Sequence, residues 1–166
     1  MAKRAARGET RICYQSFVHP VEQSPYIDRL QGMLDEVAAP GMRFEVQGLD
    51  PPDHSFHPLT EFRCAGQVIR NALRAEKARY DAFVLGHFQE PGLLEIRSSV
   101  DIPVIGLGEA NVFAALSMGH RFGLVTIDRG QPARRLCQGA GRIDGRISGP
   151  LTATTQNRWL PTGPSQ

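Results

Sequence analysis

The feature that most constrains the fold is a repeated exchange between two hydrophobic patterns. Short runs that are apolar throughout or at every second residue are typical of strands. Along the chain they alternate with longer segments whose apolar residues recur every three or four positions, as in amphipathic helices. The strand candidates are 10–17, 43–49, 82–85, 103–107 and 121–126, and the helix candidates begin near residues 24, 60, 91 and 109. This order predicts an α/β fold: a flavodoxin-like, five-stranded parallel sheet with helices on both faces and strand order 2-1-3-4-5.

The pattern ends near Ile127 and divides the chain into three parts. We expect residues 1–9 to form a flexible amino terminus and residues 10–127 to form one α/β domain, a size at which a chain can bury a proper core. Residues 128–166 are rich in Gly, Arg, Pro, Thr and Gln and show no amphipathic period. We predict an irregular, disordered tail there.

Composition excludes several classes of partner. The net charge is +2, and the arginines are scattered without the basic stripe, interleaved with aromatic residues, that nucleic-acid binding needs. No run of about 18 apolar residues exists to cross a membrane. The basic amino terminus leads into a strand and not into an apolar signal core. We therefore predict a cytoplasmic protein with a small-molecule substrate and with neither a nucleic-acid nor a membrane partner.

Neither the cysteines nor the histidine-containing loop after the second strand indicates a metal site. His54 and His57, next to Asp53, lack a third ligand at regular spacing, so we predict no metal. The cysteines show no C-x-x-C spacing and are interpreted as small buried side chains. They are Cys13, Cys64 and Cys137.

The residue that most suggests chemistry is His87, which directly follows the strand candidate 82–85. In open α/β sheets, ligands bind at the carboxyl ends of the strands. Imidazole has an ordinary pKa of about 6.5 and can take and give a proton near neutral pH, which predicts a general acid/base. A histidine that caps a helix or hydrogen-bonds a neighbouring loop would fit the same position, and the pattern leaves both interpretations open.

Other polar or small residues end the neighbouring strands. The segment 106–111 has glycines that would let a ligand approach backbone N–H groups at a helix start, where an anion such as a carboxylate is favoured. Glu109 could orient a partner or cap the first turn. Gln15, Ser16 and Thr126 could hold a ligand carboxylate or ring carbonyl, or satisfy loop backbone. All of these strand ends face one crevice, which favours a shared site.

Three segments resemble the aspartate/glutamate/hydantoin racemase family, nearest its hydantoin racemase branch. They read Asp81-Ala-Phe-Val-Leu-Gly-His-Phe-Gln-Glu-Pro-Gly-Leu93, Asp101-Ile-Pro-Val-Ile-Gly-Leu-Gly-Glu-Ala110 and Arg121-Phe-Gly-Leu-Val-Thr126. The resemblance runs from about residue 11 to 127. It implies one lobe of a two-lobe α/β architecture with the active site between the lobes. It also implies a cofactor-free reaction in which one cysteine removes an α-proton and a cysteine of the other lobe returns it.

The resemblance assigns positions to individual residues. His87 stands where the family has its first-lobe cysteine, so an imidazole replaces a thiol. Phe88 follows it, and Gly108 belongs to a Gly-x-Gly-Glu-Ala segment near the substrate, so both are expected substrate contacts. Thr126 matches a strand-end threonine that faces the substrate. Gln15-Ser16 replaces the Asn-Pro-Asn loop that many members carry, and we expect substrate contacts there as well.

The function that the resemblance implies is a cofactor-independent racemase or epimerase acting by α-proton transfer on a hydantoin or amino-acid-like compound. His87 would be the base, and Glu109 with nearby backbone N–H groups would stabilise the enolate. We expect a chain that stops after the first lobe, as a truncated or frame-shifted copy would, with activity impaired unless a homo-oligomer completes the crevice. The alternatives are a non-catalytic module that binds a small carboxylate or a partner lobe, and a decarboxylase or isomerase of the same superfamily.

Overall fold

The computed structural model describes residues 8–53 and 58–119, together with two short strands at 125–126 and 152–153. The strands are β1 Thr10–Gln15, β2 Met42–Gln47, β3 Ala82–Leu85, β4 Val104–Gly106, β5 Val125–Thr126 and β6 Thr152–Ala153. The helices are α1 Ser24–Val37, α2 Pro58–Lys77, α3 Leu93–Arg97 and α4 Leu107–Met118. In the described parts of the chain, no helix has the length and apolar character needed to cross a membrane.

The main sheet is parallel throughout, with strand order β2-β1-β3-β4. This confirms the α/β class, but the prediction of five strands was wrong: within the described residues the main sheet has four. Of the predicted fifth strand, the structure describes Val125–Thr126, which pair in parallel with Thr152–Ala153 and not with β4. A hydrophobic run indicates a strand but carries no information about which strand will be its partner, and pairing decides sheet membership. The predicted boundaries at 1–9 and 128–166 fall almost entirely outside the described residues.

Apolar side chains pack on both faces of the sheet. Successive side chains of a strand point to opposite faces, so one strand contributes to both clusters. Phe83 and Leu85 of β3 are fully buried in the larger core, which α2 and α3 complete. Val84, between them, packs on the other face with Ile12 and with Leu30 of α1. A strand buried on both faces has no polar positions, which is why β3 appears in the sequence as a continuous apolar run.

Candidate active site

The carboxyl ends of the strands form a polar edge, as the predicted topology requires. Backbone hydrogen bonds join the loops there: Gly86 N–H donates to the Gln15 carbonyl at 2.9 Å, and Ser16 N–H donates to the Gln47 carbonyl at 2.8 Å. All of the polar residues found buried in the described part of the chain lie at or beside this edge. They are Gln15, Ser16, His87, Glu90 and Glu109.

His87 is enclosed by three protein groups. Its ring centroid lies 4.4 Å from that of Phe17, with the ring planes inclined by 56°. Nδ1 accepts a hydrogen bond of 3.3 Å from the backbone N–H of Gln89. Nε2 lies 3.3 Å from Oδ2 of Asp53, and the two side chains are 6% and 1% exposed. The predicted imidazole is therefore at the predicted edge, held from both sides of the ring. Its role as the base stays a prediction.

Glu90 is a buried member of the site that sequence reasoning missed. Its backbone has φ = +55°, in the left-handed region, and its carboxyl Oε1 accepts a hydrogen bond of 2.7 Å from the N–H of Glu109, in the first turn of α4. A Cβ on Gly106 would lie 2.1 Å from that oxygen, and one on Gly108 would lie 2.4 Å from the Phe88 carbonyl oxygen. The glycines thus make room for the chain's own carboxyl group at the helix start, where the sequence predicted a ligand anion.

The buried position perturbs the Glu90 carboxyl. Burial raises its pKa above the ordinary value, and the nearby Glu109 carboxylate acts in the same direction, while backbone N–H donors oppose the shift. In the described residues, Oε2 of Glu90 has no hydrogen-bond partner. In the sequence, Glu90 stands directly before Pro91 and Gly92, where a helix was predicted to begin. That pattern gave no sign that the Glu90 carboxyl would accept a hydrogen bond at the start of α4.

Replacing Glu90 with glutamine is expected to stabilise the fold at neutral pH and to leave it unchanged in acid. Since the folded pKa is raised, the folded state holds the proton to a higher pH than the unfolded state does. Stability therefore falls as pH rises from the unfolded pKa, about 4.3 for Glu, through the folded one. Glutamine resembles the protonated form and keeps an acceptor for Glu109 N–H.

Thermal melts at several pH values check this expectation. The E90Q melting temperature should exceed that of the wild type by a few degrees at pH 7 and match it near pH 3. Glu36→Gln, at an exposed position of α1, is the control and should show no such divergence. An equal loss of melting temperature at both pH values in E90Q would contradict the assignment.

Glu109 is engaged by Arg97 of α3. The guanidinium donates to both carboxylate oxygens, from Nη1 to Oε1 at 3.0 Å and from Nη2 to Oε2 at 2.6 Å. The same arginine donates to the Val104 carbonyl, so the pair links α3, β4 and α4. The Glu109 hydrogen bonds are also the main reason why the pKa of Arg97 is raised. The proposed role of Glu109 in stabilising an enolate stays a prediction.

The other predicted substrate contacts differ in their surroundings. The Gln15 amide donates to the carbonyls of Ser16 and Gly48 at 2.8 and 2.9 Å and accepts from Asn71 at 2.9 Å, so it ties two loops to α2. Ser16 is buried beside it, and the half-buried Phe88 follows His87. Thr126 lies in β5, outside the main sheet, and its side chain lies outside the described residues. Substrate contact by Gln15, Ser16, Phe88, Gly108 and Thr126 stays a prediction.

The cysteines among the described residues, Cys13 and Cys64, are buried thiols whose pKa values do not suit proton transfer at neutral pH. Burial raises the pKa of Cys13 to about 12 and that of Cys64 to about 11, so neither is a thiolate at neutral pH. Across residues 8–53 and 58–119, no group of three His, Cys, Asp or Glu side chains converges as a metal site. His54, His57 and Cys137 lie outside the described residues.

Comparisons with known proteins agree on one family. The family model described as Asp/Glu/Hydantoin racemase matches residues 48–143. The chain is 37% identical over 60 residues to a hydantoin racemase of Pseudomonas sp. (strain NS671), an alignment that covers 36% of this chain and 24% of that protein. Its fold is similar to that of the allantoin racemase from Klebsiella pneumoniae, with a TM-score of 0.61 and 27% identity, covering 71% of this chain and 47% of the other. The chain thus matches less than half the length of either relative.

Proposed function

The chain belongs to the Asp/Glu/hydantoin racemase family, and we propose that it is a cofactor-independent racemase or epimerase of the cytoplasm. Its substrate is a hydantoin or an amino-acid-like compound with a C–H bond next to a carbonyl group. The observation that carries the proposal is the imidazole of His87, buried at the carboxyl edge of the sheet between Asp53 and the Gln89 N–H. His87, Asp53 and Gln89 all lie within the stretch that matches the family model.

The proposed reaction is a proton transfer at the α-carbon. His87 takes the α-proton, the C–H bonding pair moves toward the carbonyl group, and an enolate forms. Backbone N–H groups at the start of α4 are the nearby donors suited to the enolate oxygen. Since the Glu109 N–H donates to Glu90 in this structure, a substrate oxygen would replace that carboxyl group.

Racemisation also requires a proton donor on the opposite face of the substrate. The chain spans about half the length of the allantoin racemase that it resembles. We propose that a second copy of the chain, or water, supplies that proton. A water donor would give slow racemisation with full solvent exchange, whereas a homodimer would make the rate depend on protein concentration.

The proposal is tested by deuterium exchange at the α-carbon of a small panel of hydantoins and N-carbamoyl amino acids in D2O, followed by NMR. Chiral chromatography of the same samples reports racemisation. His87→Gln and His87→Ala should lower the exchange rate by about 10²–10⁴-fold, the usual contribution of a positioned acid/base. His19→Gln replaces another loop histidine and is the matched control. Equal exchange rates in the wild type and both His87 variants would remove His87 from the mechanism.

A second candidate is a non-catalytic module that binds a small carboxylate or a partner lobe. The observation in its favour is that Gln15 and Glu109, both predicted to serve a substrate, hydrogen-bond to other protein groups. A ligand that binds the folded state raises the melting temperature by mass action. Stabilisation by hydantoins or small carboxylates, without any α-proton exchange, would favour this candidate over the racemase.

A further inference from the structure

Residues 48–53, which follow β2, place the carboxylate of Asp53 beside the ring of His87. Two backbone hydrogen bonds fasten this loop to the segment after β1: Leu49 N–H donates to the Val18 carbonyl at 2.9 Å, and Asp53 N–H donates to the Phe17 carbonyl at 3.0 Å. The Asp53 side chain is 1% exposed, and its Oδ2 lies 3.3 Å from His87 Nε2. A buried carboxylate is costly unless it meets a partner charge or donor, and the His87 ring is one group that it contacts.

The two sides of the His87 ring receive opposite kinds of group. Nδ1 accepts from the Gln89 N–H, and a neutral imidazole nitrogen that accepts a hydrogen bond carries no proton. The proton of the neutral ring therefore belongs on Nε2, which faces the carboxylate of Asp53. The Asp53 carboxylate, 3.3 Å from Nε2, contacts it as an ion-pair partner and not in the geometry of a hydrogen bond. Its negative charge nevertheless favours a proton on the nearer nitrogen, which is the same arrangement. Two independent contacts thus select one tautomer, and the Phe17 ring restrains the imidazole plane.

We infer that Asp53 is a positioning residue for His87: it holds the neutral ring with its proton on Nε2, so that Nδ1 is the nitrogen that exchanges a proton with the substrate. The part of this inference that concerns the substrate rests on the proposed function. The arrangement of Asp53 around the ring does not.

The substrate C–H bond breaks, its proton bonds to Nδ1, and its electron pair remains on the substrate as an enolate. The ring becomes an imidazolium, and the Asp53 carboxylate 3.3 Å from Nε2 is the negative charge that offsets it in a buried place. When Nδ1 returns the proton, the ring is neutral again. To contact the substrate, Nδ1 gives up the hydrogen bond that it accepts from the Gln89 N–H. That hydrogen bond is long at 3.3 Å and therefore weak.

The first test needs no variant. Two-bond 1H–15N correlation spectra of the intact 15N-labelled chain, at a pH where the ring is neutral, distinguish a protonated Nε2 from a protonated Nδ1. His87 signals are assigned by their loss in His87→Gln. The inference expects the Nε2–H pattern for His87. The Nδ1–H pattern would overturn it.

The second test removes the charge of Asp53. In Asp53→Asn, the group that faces Nε2 is neutral and its amide can donate as well as accept, so it no longer favours a proton on Nε2. The same two-bond spectra of Asp53→Asn should therefore show a larger share of the Nδ1–H form, and Asp53→Glu should restore the wild-type pattern. His19 is the internal control: its Nδ1 accepts from the Val21 and Glu22 N–H groups, its Nε2 lies 3.7 Å from Asp50, and its signals should not change. An unchanged His87 pattern in Asp53→Asn would mean that Asp53 only packs.

The activity readout separates positioning from binding. Since Asp53 lies behind the ring, D53N should lower kcat for α-proton exchange by at least about tenfold, part of the 10²–10⁴ that a positioned base supplies, and leave KM unchanged. A raised KM with an unchanged kcat would overturn the positioning role. If the wild type shows no exchange, the proposed function fails, while the tautomer of His87 in the wild type and in D53N still decides whether Asp53 controls which ring nitrogen carries the proton.

Discussion

Replacing Phe83 with alanine is expected to destabilise the protein by about 3–5 kcal/mol, the usual loss for a buried phenylalanine. Phe83 is 0% exposed at the centre of the larger core, where it packs with side chains of α2 and α3. Its strand is hydrogen-bonded on both sides, to β1 and to β4, so the backbone cannot collapse into the space left by the ring. Domains of this size are stable by only about 5–15 kcal/mol, so the loss removes a large part of the total.

Urea unfolding followed by circular dichroism measures this difference. The matched control is Phe62→Ala, which removes the same ring from a position on α2 that is 77% exposed. That substitution should change the free energy of unfolding by no more than about 0.5 kcal/mol. If the two variants lost similar amounts, the described core would not be the one that stabilises the chain.

Replacing Gly86 with alanine is expected to destabilise the fold by about 1–3 kcal/mol or more and, under the proposed function, to lower α-proton exchange at the same time. An added Cβ would lie 2.2 Å from Cε1 of Tyr14 and 2.8 Å from the Gln15 carbonyl oxygen. The Tyr14 ring is buried under α1, and the carbonyl is backbone in a hydrogen-bonded strand, so neither group can give way easily. The strand end must shift instead, and His87 is the next residue. A displacement of about 1 Å can cost a factor of 10² in rate.

Gly66→Ala is the matched control, because it adds the same methyl group to the interior of α2. The nearest atom to that Cβ would be Nη1 of Arg70, at 3.8 Å, an ordinary contact. Alanine forms helices better than glycine, so this variant should be more stable than the wild type by about 0.5–1 kcal/mol. The two Gly→Ala substitutions should therefore change the free energy of unfolding, measured in urea, in opposite directions. A neutral or stabilising Gly86→Ala would show that Tyr14 does not pack as described.

The strands and helices of the main sheet could largely be predicted from the sequence. The strand Ala82–Leu85 has the predicted bounds, and β1, β2 and β4 differ from their predictions by a few residues. The third helix is shorter than expected, Leu93–Arg97 in place of about 91–99. Glu90 and Gly92 both have positive φ, which is incompatible with a helix and delays its start. The fifth strand was misplaced because its pattern could not indicate its partner.

The meeting of the candidate residues at one edge of the sheet was also predictable, but their contacts with one another were not. Parallel topology alone brings His87, Gln15 and Glu109 to one edge of the sheet. Which side chain faces which depends on contacts between loops. Sequence reasoning considered Asp53 only as a metal ligand beside two histidines, and it read Glu90 as part of a helix start. Neither pattern indicated that Asp53 lies against the His87 imidazole or that Glu90 accepts a hydrogen bond at the start of α4.

What the sequence determined by itself is the class of fold, the edge of the sheet where the candidate residues meet and the place of His87 at that edge. These depend on hydrophobic periods and turn residues, which act over a few neighbouring positions. The tertiary structure decided that Asp53 faces Nε2 of His87, that the Glu90 carboxyl caps α4 and that Glu109 pairs with Arg97. Those contacts arise where separate loops meet in space. Their distances depend on the register of β1, β3 and β4, and no local pattern encodes that register.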